Sequence, residues 1–394
     1  MRILYVNDAW AIWGGLERVL IEKMNYLSEY KDLDIFTITY NQGDHPFPYP
    51  LSSKVIHRDL DIRLYQQYRY HGLKKLYYKY KLQKLLIKRL QFGIADIKPD
   101  VIVCPRIDLI GYILKAKGNI PLIYESHSSR KWISKYEGLL RNIKRYYYES
   151  MVKKVQMIVA LTEGDAAEWR KLSPNICVIP NVVHLNESDT YSDCIAKVAI
   201  FVGRFSKQKD VGSLLRIWDV VHQRHPDWSL HIYGSHADQE EAILTEVKKR
   251  NVNITIHEPT SDIIEKYKES SILLLTSRYE PFGLVLPEAM SCGVPVVSFD
   301  CPYGPADIIT DGVDGFLIHH RSIEDFANKV SQLMDCEELR QKMGTAGIES
   351  SRRYDASRII PLWKKLFEHL TNFVILIFFQ EIIRGIFIMV CLGE

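Results

Sequence analysis

Short apolar runs alternate with helical patterns along the whole chain. Ile3 to Val6, Ile35 to Thr39, Val101 to Cys104, Leu122 to Tyr124, Met157 to Leu161 and Ile176 to Ile179 are too short for buried helices. They are also too uniformly apolar for a sheet with one wet face, so they predict parallel strands covered on both sides. The amino-terminal half therefore reads as a layered α/β domain. A polar interval, His184 to Cys194, breaks the pattern. It restarts with Val198 to Val202, Leu230 to Tyr233, Ile254 to His257, Ile272 to Leu275, Val294 to Ser298 and Phe316 to Ile318.

The polar interval predicts a linker, with one domain over 1–184 and a second over 185–354. No internal sequence repeat relates the halves. A chain of 394 residues exceeds one ordinary core, since domains commonly hold about 100 to 200 residues. The expectation is two doubly wound, Rossmann-like domains facing one another across a cleft. Ligands of open parallel sheets lie at the carboxyl ends of the strands, so the loops that follow those strands are where chemistry belongs.

Composition, at 47% hydrophobic and 25% charged, is that of a globular protein and excludes disorder. Seven scattered cysteines with no Cys-x-x-Cys spacing argue against a disulfide framework and a zinc site, and predict a reducing compartment. The start, MRILYVNDAW, reads as a first strand and not as a signal peptide. Net charge is +3, but residues 62–95 hold nine Lys/Arg, six Tyr and no acid. Tyr78, Leu82, Leu86 and Leu90 give this segment a helical stripe, and a second Lys/Arg/Tyr-rich stretch runs from Arg130 to Lys154. Such a helix either packs on its own domain with a solvated basic face, or meets an anionic membrane surface or a diphosphate-bearing acceptor. Nucleic acid ranks lower, because no nucleic-acid module accompanies the patch.

Three strand-end loops carry candidate chemistry. After the first strand, Gly14-Gly15 opens a helix where amide groups and close backbone approach suit phosphate or sugar oxygens. The pair lacks the Gly-x-Gly-x-x-Gly spacing of dinucleotide enzymes. After the first strand of the second half, Gly203-Arg-Phe-Ser-Lys-Gln-Lys-Asp210 places Arg204 and Lys209, with Lys207 as a substitute, before a helix starting near Val211. Two cations at a helix amino terminus suit a diphosphate and would neutralise a departing phosphate. After Ile272 to Leu275 comes Glu280-Pro-Phe-Gly-Leu-Val-Leu-Pro-Glu288. Glu280 falls in the loop and Glu288 on a helix starting around Gly283, leaving the amides of Gly283 and Leu284 unpaired. Either glutamate alone would read as a helix cap or a surface residue. Together they suit an anionic, hydroxyl-rich ligand such as a nucleotide sugar.

These residues resemble those of the retaining GT-B glycosyltransferases of glycosyltransferase family four. The resemblance runs over roughly residues 1 to 370. It rests on Glu280-Pro-Phe-Gly-x4-Glu288-Ala-Met-x2-Gly-x-Pro-Val-Val, on Gly203-Arg204 with Lys209, on Ile179-Pro-Asn181 and on Gly304-Pro-Ala-Asp-Ile-Ile-x-Asp-Gly-x-Asp-Gly315. It implies that Arg204 and Lys209 hold the donor diphosphate, Glu288 the ribose hydroxyls and Glu280 a hydroxyl of the transferred sugar. Backbone at Gly15, Phe282, Gly283 and Leu284 would complete the donor contacts. His127, in Tyr124-Glu-Ser-His-Ser-Ser129, matches the family histidine that reaches the sugar from the opposite wall. Ser128 stands where many members carry Asp, and Asp307 where Glu is frequent.

The resemblance implies hexosyl transfer with retention from a nucleotide diphosphate sugar, most simply UDP-linked, to a surface glycan or polyprenyl-diphosphate-linked precursor. Double displacement needs a carboxylate nucleophile about 3 Å from the anomeric carbon, and none is evident. Glu280 could be proposed, but the resemblance makes it a sugar-binding residue and so favours front-face attack, with the departing diphosphate accepting the acceptor's proton. No Asp-x-Asp metal signature stands at a strand end, so neither metal nor cofactor is expected. Other GT-B chemistry, such as epimerisation or phosphorolysis, and non-catalytic sugar-nucleotide binding are the alternatives.

Trp363, Leu366, Phe367 and Leu370 form the stripe of a helix over 355–371 that the GT-B fold returns to the amino-terminal domain. Phe373 to Leu392 is apolar but holds Glu381 and Arg384 at its middle, which cost about 2.5 to 3.5 kcal/mol each in a bilayer centre. The tail 372–394 therefore reads as interfacial or partner-covered, and the protein as cytoplasmic, peripheral at the inner membrane face.

Overall fold

A computed structural model of the chain describes residues 1–128, 130, 139–234 and 239–372. It forms two compact units. The first holds Met1–Ala160, Ala166–Ile179 and the carboxyl-terminal segment from Ala356; the second holds Leu161–Asp165 and Pro180–Asp355.

In the first unit seven parallel strands run in the order β3-β2-β1-β4-β5-β6-β7: β1 Arg2–Val6, β2 Asp34–Thr39, β3 Ile56–Asp59, β4 Val101–Cys104, β5 Leu122–Ser126, β6 Met157–Ala160 and β7 Ile176–Val178. The order reverses direction between β1 and β4, the switch point at which open α/β sheets bind ligands. The sequence pattern finds every one of these strands except β3. That strand is the polar edge Ile-His-Arg-Asp, whose side chains are exposed or half-buried, so it carries no apolar run to read.

Helix α1, Gly15–Ser28, presents Val19, Leu20, Met24 and Leu27 to the sheet. The basic segment forms α2, Gly72–Ile97, of which Leu86, Leu90, Ile94 and Ile97 are buried at helical spacing. Its amino-terminal half leaves Leu73, Leu76, Tyr77 and Tyr80 in solvent, with Lys74 and Lys84 over neighbouring tyrosine rings. Helix α3, Ile110–Ala116, packs between α2 and α4, Leu139–Val152. Residues 356–372 are helical and bury Trp363, Phe367 and Leu370 within this unit, and Lys364 reaches Asp32 at 2.7 Å.

The second unit repeats the plan with six parallel strands in the order β10-β9-β8-β11-β12-β13: β8 Val198–Val202, β9 Ser229–Tyr233, β10 Ile254–His257, β11 Ile272–Leu275, β12 Val296–Phe299 and β13 Gly315–Ile318. Its strands interleave with helices whose apolar faces close cores on both sides of the sheet, around Trp218, Phe201 and Phe326 on one and Tyr267, Leu273 and Met290 on the other.

Among the described residues no helix is long and apolar enough to cross a membrane. The tail from Phe373, residues 131–138 of the second basic stretch and Ser129 lie outside the described residues.

Candidate functional site

In the second unit the switch point lies between β8 and β11, and the two loops leaving it are stitched together. Arg278 N–H donates to the Gln208 carbonyl at 2.8 Å, and the Gln208 side chain donates to the Tyr279 carbonyl at 3.1 Å. Asp210, in a left-handed conformation just before the helix Val211–Arg224, ties the same loops from below. Its Oδ2 accepts from Ser213 at 2.8 Å and from Arg321 at 2.6 Å, while Arg321 also donates to the Ser277 and Thr276 carbonyls. Sequence reading gave Asp210 and Arg321 no role. Asp210 ends the Gly203–Asp210 motif, which is a signal; nothing along the chain links it to Arg321, 111 residues away.

These ties hold Lys209 against Glu280. The ammonium lies 2.5 Å from Glu280 Oε1, and the same oxygen accepts the Ser277 hydroxyl at 2.6 Å. The Lys209 stem lies across Gly203, where a Cβ would stand 3.2 to 3.3 Å from three of its carbons. Glu280 is fixed through its backbone: its N–H donates to the Pro302 carbonyl at 2.8 Å, and its carbonyl accepts from Tyr303 and Gly304. Gly304 is obligatory at this crossing, because a Cβ there would lie 1.6 Å from the Phe282 carbonyl oxygen.

Gly283 has φ +100°, a conformation that turns the chain into the helix Val285–Ser291. Neither its amide nor that of Leu284 donates to another described residue. Glu288, on that helix, is buried and accepts from Tyr267 Oη at 3.2 Å. Arg204 is exposed and forms no ion pair among the described residues, and Lys207 is exposed as well. The structure thus joins Lys209 to Glu280 directly, where the sequence assigned them to different parts of a ligand, and leaves Arg204 extended into solvent. A ligand anion and a ligand hydroxyl arriving together would replace each partner of the Lys209–Glu280 bond, so neither charge need be left unpaired. Asp307 is engaged in the backbone: its carboxylate accepts the Glu163 N–H at 2.5 Å, and burial raises its pKa.

In the first unit Gly15 begins α1 after the β1 loop, and His127 follows β5. His127 Nε2 lies 3.0 Å from Glu125 Oε1 but off the angle of a hydrogen bond. Both Glu125 oxygens are instead 2.5 Å from Lys23 Nζ, and both side chains are buried. Lys23 also stands 3.8 Å from the Trp363 ring centroid. Sequence reading missed this pair, yet it left a mark. Lys23 falls three and four residues from Leu20, Val19 and Leu27, inside the buried stripe of α1, and Glu125 sits in a wholly buried strand. A charge at such a position needs a partner.

Burial alone would raise the Glu125 carboxyl, but Lys23 and His127 outweigh it and hold its pKa at about 2. A depressed carboxyl pKa contributes stability that is present above the ordinary value of 4.5 and lost as pH falls toward about 2. Acid unfolding monitored between those values should therefore be less steep in Glu125→Gln than in the native chain. Equal pH slopes would show that the pair contributes nothing to acid stability.

Two family models match the chain in succession: Glycosyltransferase Family 4 over residues 13–187 and Glycosyl transferases group 1 over residues 195–350. The amylovoran biosynthesis glycosyltransferase AmsD of Erwinia amylovora is 27% identical over 387 residues, 93% of this chain and 99% of its own. Among solved structures, a TarM mutant of S. aureus in complex with Fondaparinux, alpha-GlcNAc-glycerol and UDP shares the fold with a TM-score of 0.76 at 16% identity, over 93% of this chain and 99% of that one. Anabaena HepE in complex with UDP and glucose does so with a TM-score of 0.71 at 18% identity, over 93% and 99%. Two Rossmann-like sheets of matching strand order, the charged loops at the switch point of the second and these family matches agree: the chain belongs to the GT-B glycosyltransferases of family four.

Proposed function

We propose that the protein is a retaining hexosyltransferase that moves a sugar from a UDP-sugar to a hydroxyl of a surface glycan or its lipid-linked precursor, without a metal. The observation that carries this reading is the Lys209–Glu280–Ser277 cluster at the carboxyl ends of β8 and β11, a cation and a hydroxyl converging on one carboxylate oxygen. UDP in the TarM and HepE structures and the amylovoran role of AmsD support the donor and the acceptor class.

Lys209 and Arg204 take the diphosphate and Glu288 the ribose hydroxyls. Glu280 and His127 take hydroxyls of the transferred sugar, and backbone at Gly15, Phe282, Gly283 and Leu284 completes the donor contacts. The acceptor oxygen attacks the anomeric carbon on the face from which UDP leaves. As the glycosidic bond to UDP breaks, a diphosphate oxygen receives the acceptor's proton. Fixed positive charge on that leaving group lowers the barrier because it is already oriented when charge develops.

The test is thermal unfolding with and without UDP and UDP-hexoses. At a hundredfold excess over the dissociation constant, one bound ligand adds about 2.7 kcal/mol of apparent stability. A rise in melting temperature with UDP, together with transfer that requires an acceptor, supports the reading. No shift at any concentration removes the donor, and turnover of donor alone into an isomer points to epimerisation instead. Activity unchanged by EDTA is expected.

The exposed Leu73, Leu76, Tyr77 and Tyr80 among the lysines of α2 support a peripheral site on an anionic inner membrane face. Cosedimentation with vesicles containing anionic lipid, but not with neutral ones, is the expected result; equal binding to both contradicts it.

A further inference from the structure

His127 stands at the end of β5 with 9% of its side chain exposed. Its Nε2 faces inward, 3.0 Å from Glu125 Oε1, and no described residue gives that nitrogen a hydrogen bond of good angle. The carboxylate behind it is held from the far side. Lys23, on α1, reaches both Glu125 oxygens at 2.5 Å, and its ammonium lies 3.8 Å from the Trp363 ring centroid. Lys23, Glu125 and Trp363 are each 1% exposed, and all belong to the first unit.

Stability is a poor reason to keep such a pair. The attraction between two buried charges only just offsets their desolvation, and apolar residues of the same volume commonly do as well or better. What apolar residues cannot provide is a carboxylate of fixed direction beneath an imidazole. Burial opposes ionisation of Glu125, yet Lys23 and His127 hold its pKa at about 2, so at neutral pH it is a carboxylate. An ionised carboxylate only accepts hydrogen bonds. A bare Nε2 at 3.0 Å would therefore set lone pair against lone pair, whereas a proton on Nε2 turns the same contact into attraction. The torsion that swings the ring into line is broad and costs little. In the neutral ring, a proton on Nε2 leaves Nδ1 as an acceptor.

We infer that Glu125, held by Lys23, is a positioning residue that fixes His127 as the Nε2–H tautomer and so presents Nδ1 to the transferred sugar as a hydrogen-bond acceptor. Nδ1 has no partner among the described residues, so a sugar hydroxyl can donate to it. The opposite tautomer would offer the sugar an N–H and turn a lone pair toward the carboxylate. The sugar contact rests on the transferase reading of His127; the tautomer rests on the geometry of the first unit.

Two measurements on the full chain test this. The first is long-range proton–nitrogen correlation of labelled histidine rings above neutral pH, with His127 identified by the signals that His127→Gln removes. The native chain should show a protonated Nε2 and a bare Nδ1. The chain carrying both Lys23→Met and Glu125→Gln, which strands no charge, should show a mixture of tautomers. A proton on Nδ1 in the native chain, or an unchanged pattern in that variant, overturns the inference.

The second is kcat for UDP-hexose turnover, measured well below the melting temperature of each variant. Glu125→Gln should lower it about tenfold to a hundredfold, the cost of losing a partner that orients a metal-bound histidine, and His127→Gln at least as much. Because both act through one ring, the chain carrying both should fall no more than about threefold below the less active single variant. Lys23→Met with Glu125→Gln should regain melting temperature but not kcat, whereas a purely structural carboxylate would regain both. Losses that multiply, or kcat restored together with stability, overturn the positioning role. The two readings fail separately: absence of any UDP-hexose turnover removes the donor reading while the ring spectra still decide the tautomer, and turnover with the wrong tautomer removes this inference alone.

Discussion

Replacing Lys209 by methionine is expected to lower kcat by about a hundredfold to a thousandfold, the usual effect of removing one fixed donor from a developing negative charge. Lys209 stands at the end of β8 with its stem laid over Gly203 and its ammonium 2.5 Å from Glu280. It is already oriented when the diphosphate begins to leave, so its contribution falls on the transition state more than on the bound donor. KM for the donor should therefore change far less than kcat. The substitution also strips Glu280 of its cation while the Ser277 hydroxyl remains. Loss of one partner from a buried acceptor costs about 1 to 3 kcal/mol, so melting at saturating donor must be checked alongside the rates. Glu280→Gln keeps the shape and removes the charge, and is expected to weaken transfer without that loss of stability. A Lys209→Met enzyme that retains kcat within threefold would exclude the assigned role.

Lys23→Met should have the largest effect on stability. It leaves the Glu125 carboxylate buried in the first unit without its ammonium, with His127 as its remaining charged neighbour. Removing one partner of a buried ion pair costs about 3 to 5 kcal/mol. For a unit of this size that lowers the melting temperature by on the order of 10 °C. Pairing it with Glu125→Gln removes the stranded charge, and the double variant should recover more than half of the loss, since residues in direct contact are not additive. Circular dichroism melts of the native chain, both single variants and the double variant close the cycle. A Lys23→Met loss below about 1 kcal/mol would place this pair with ordinary surface contacts.

How much of this is legible along the chain follows from what each feature depends on. Parallel strands buried on both faces must be apolar throughout, so β1, β4, β5, β6, β8, β11 and β12 stand out as short apolar runs, and the half-buried edges β7 and β10 keep enough isoleucine and valine to be read. The edge strand β3 lacks a second neighbour and keeps polar side chains, so it carries no such mark. The stripe of Trp363, Leu366, Phe367 and Leu370 is visible because helical spacing determines it, whereas the helix's return to the first domain comes only from the family resemblance.

At the candidate site, the Gly-Arg-plus-Lys and Glu-Pro-Phe-Gly motifs mark strand-end loops because turn chemistry and charge are local. Partnerships are not local. That Lys209 bonds Glu280, 71 residues on, or that Lys23 meets Glu125, 102 residues on, depends on which strands lie side by side. Only the anomaly of a charge in a buried stripe hints at them. The anchoring of the Phe47–Pro50 segment is less legible still: nothing along the chain links it to Asn25, 25 residues earlier, which donates to the Pro50 carbonyl.

Hydrogen exchange with and without a UDP-hexose tests most directly where the donor sits. Amides of residues 203–210 and 280–288 should slow on addition of the ligand, while those of β3 and α2 stay unchanged. If exchange in both loops is indifferent to a nucleotide sugar that demonstrably binds, the donor lies elsewhere and the roles given to Lys209, Glu280 and Glu288 are wrong.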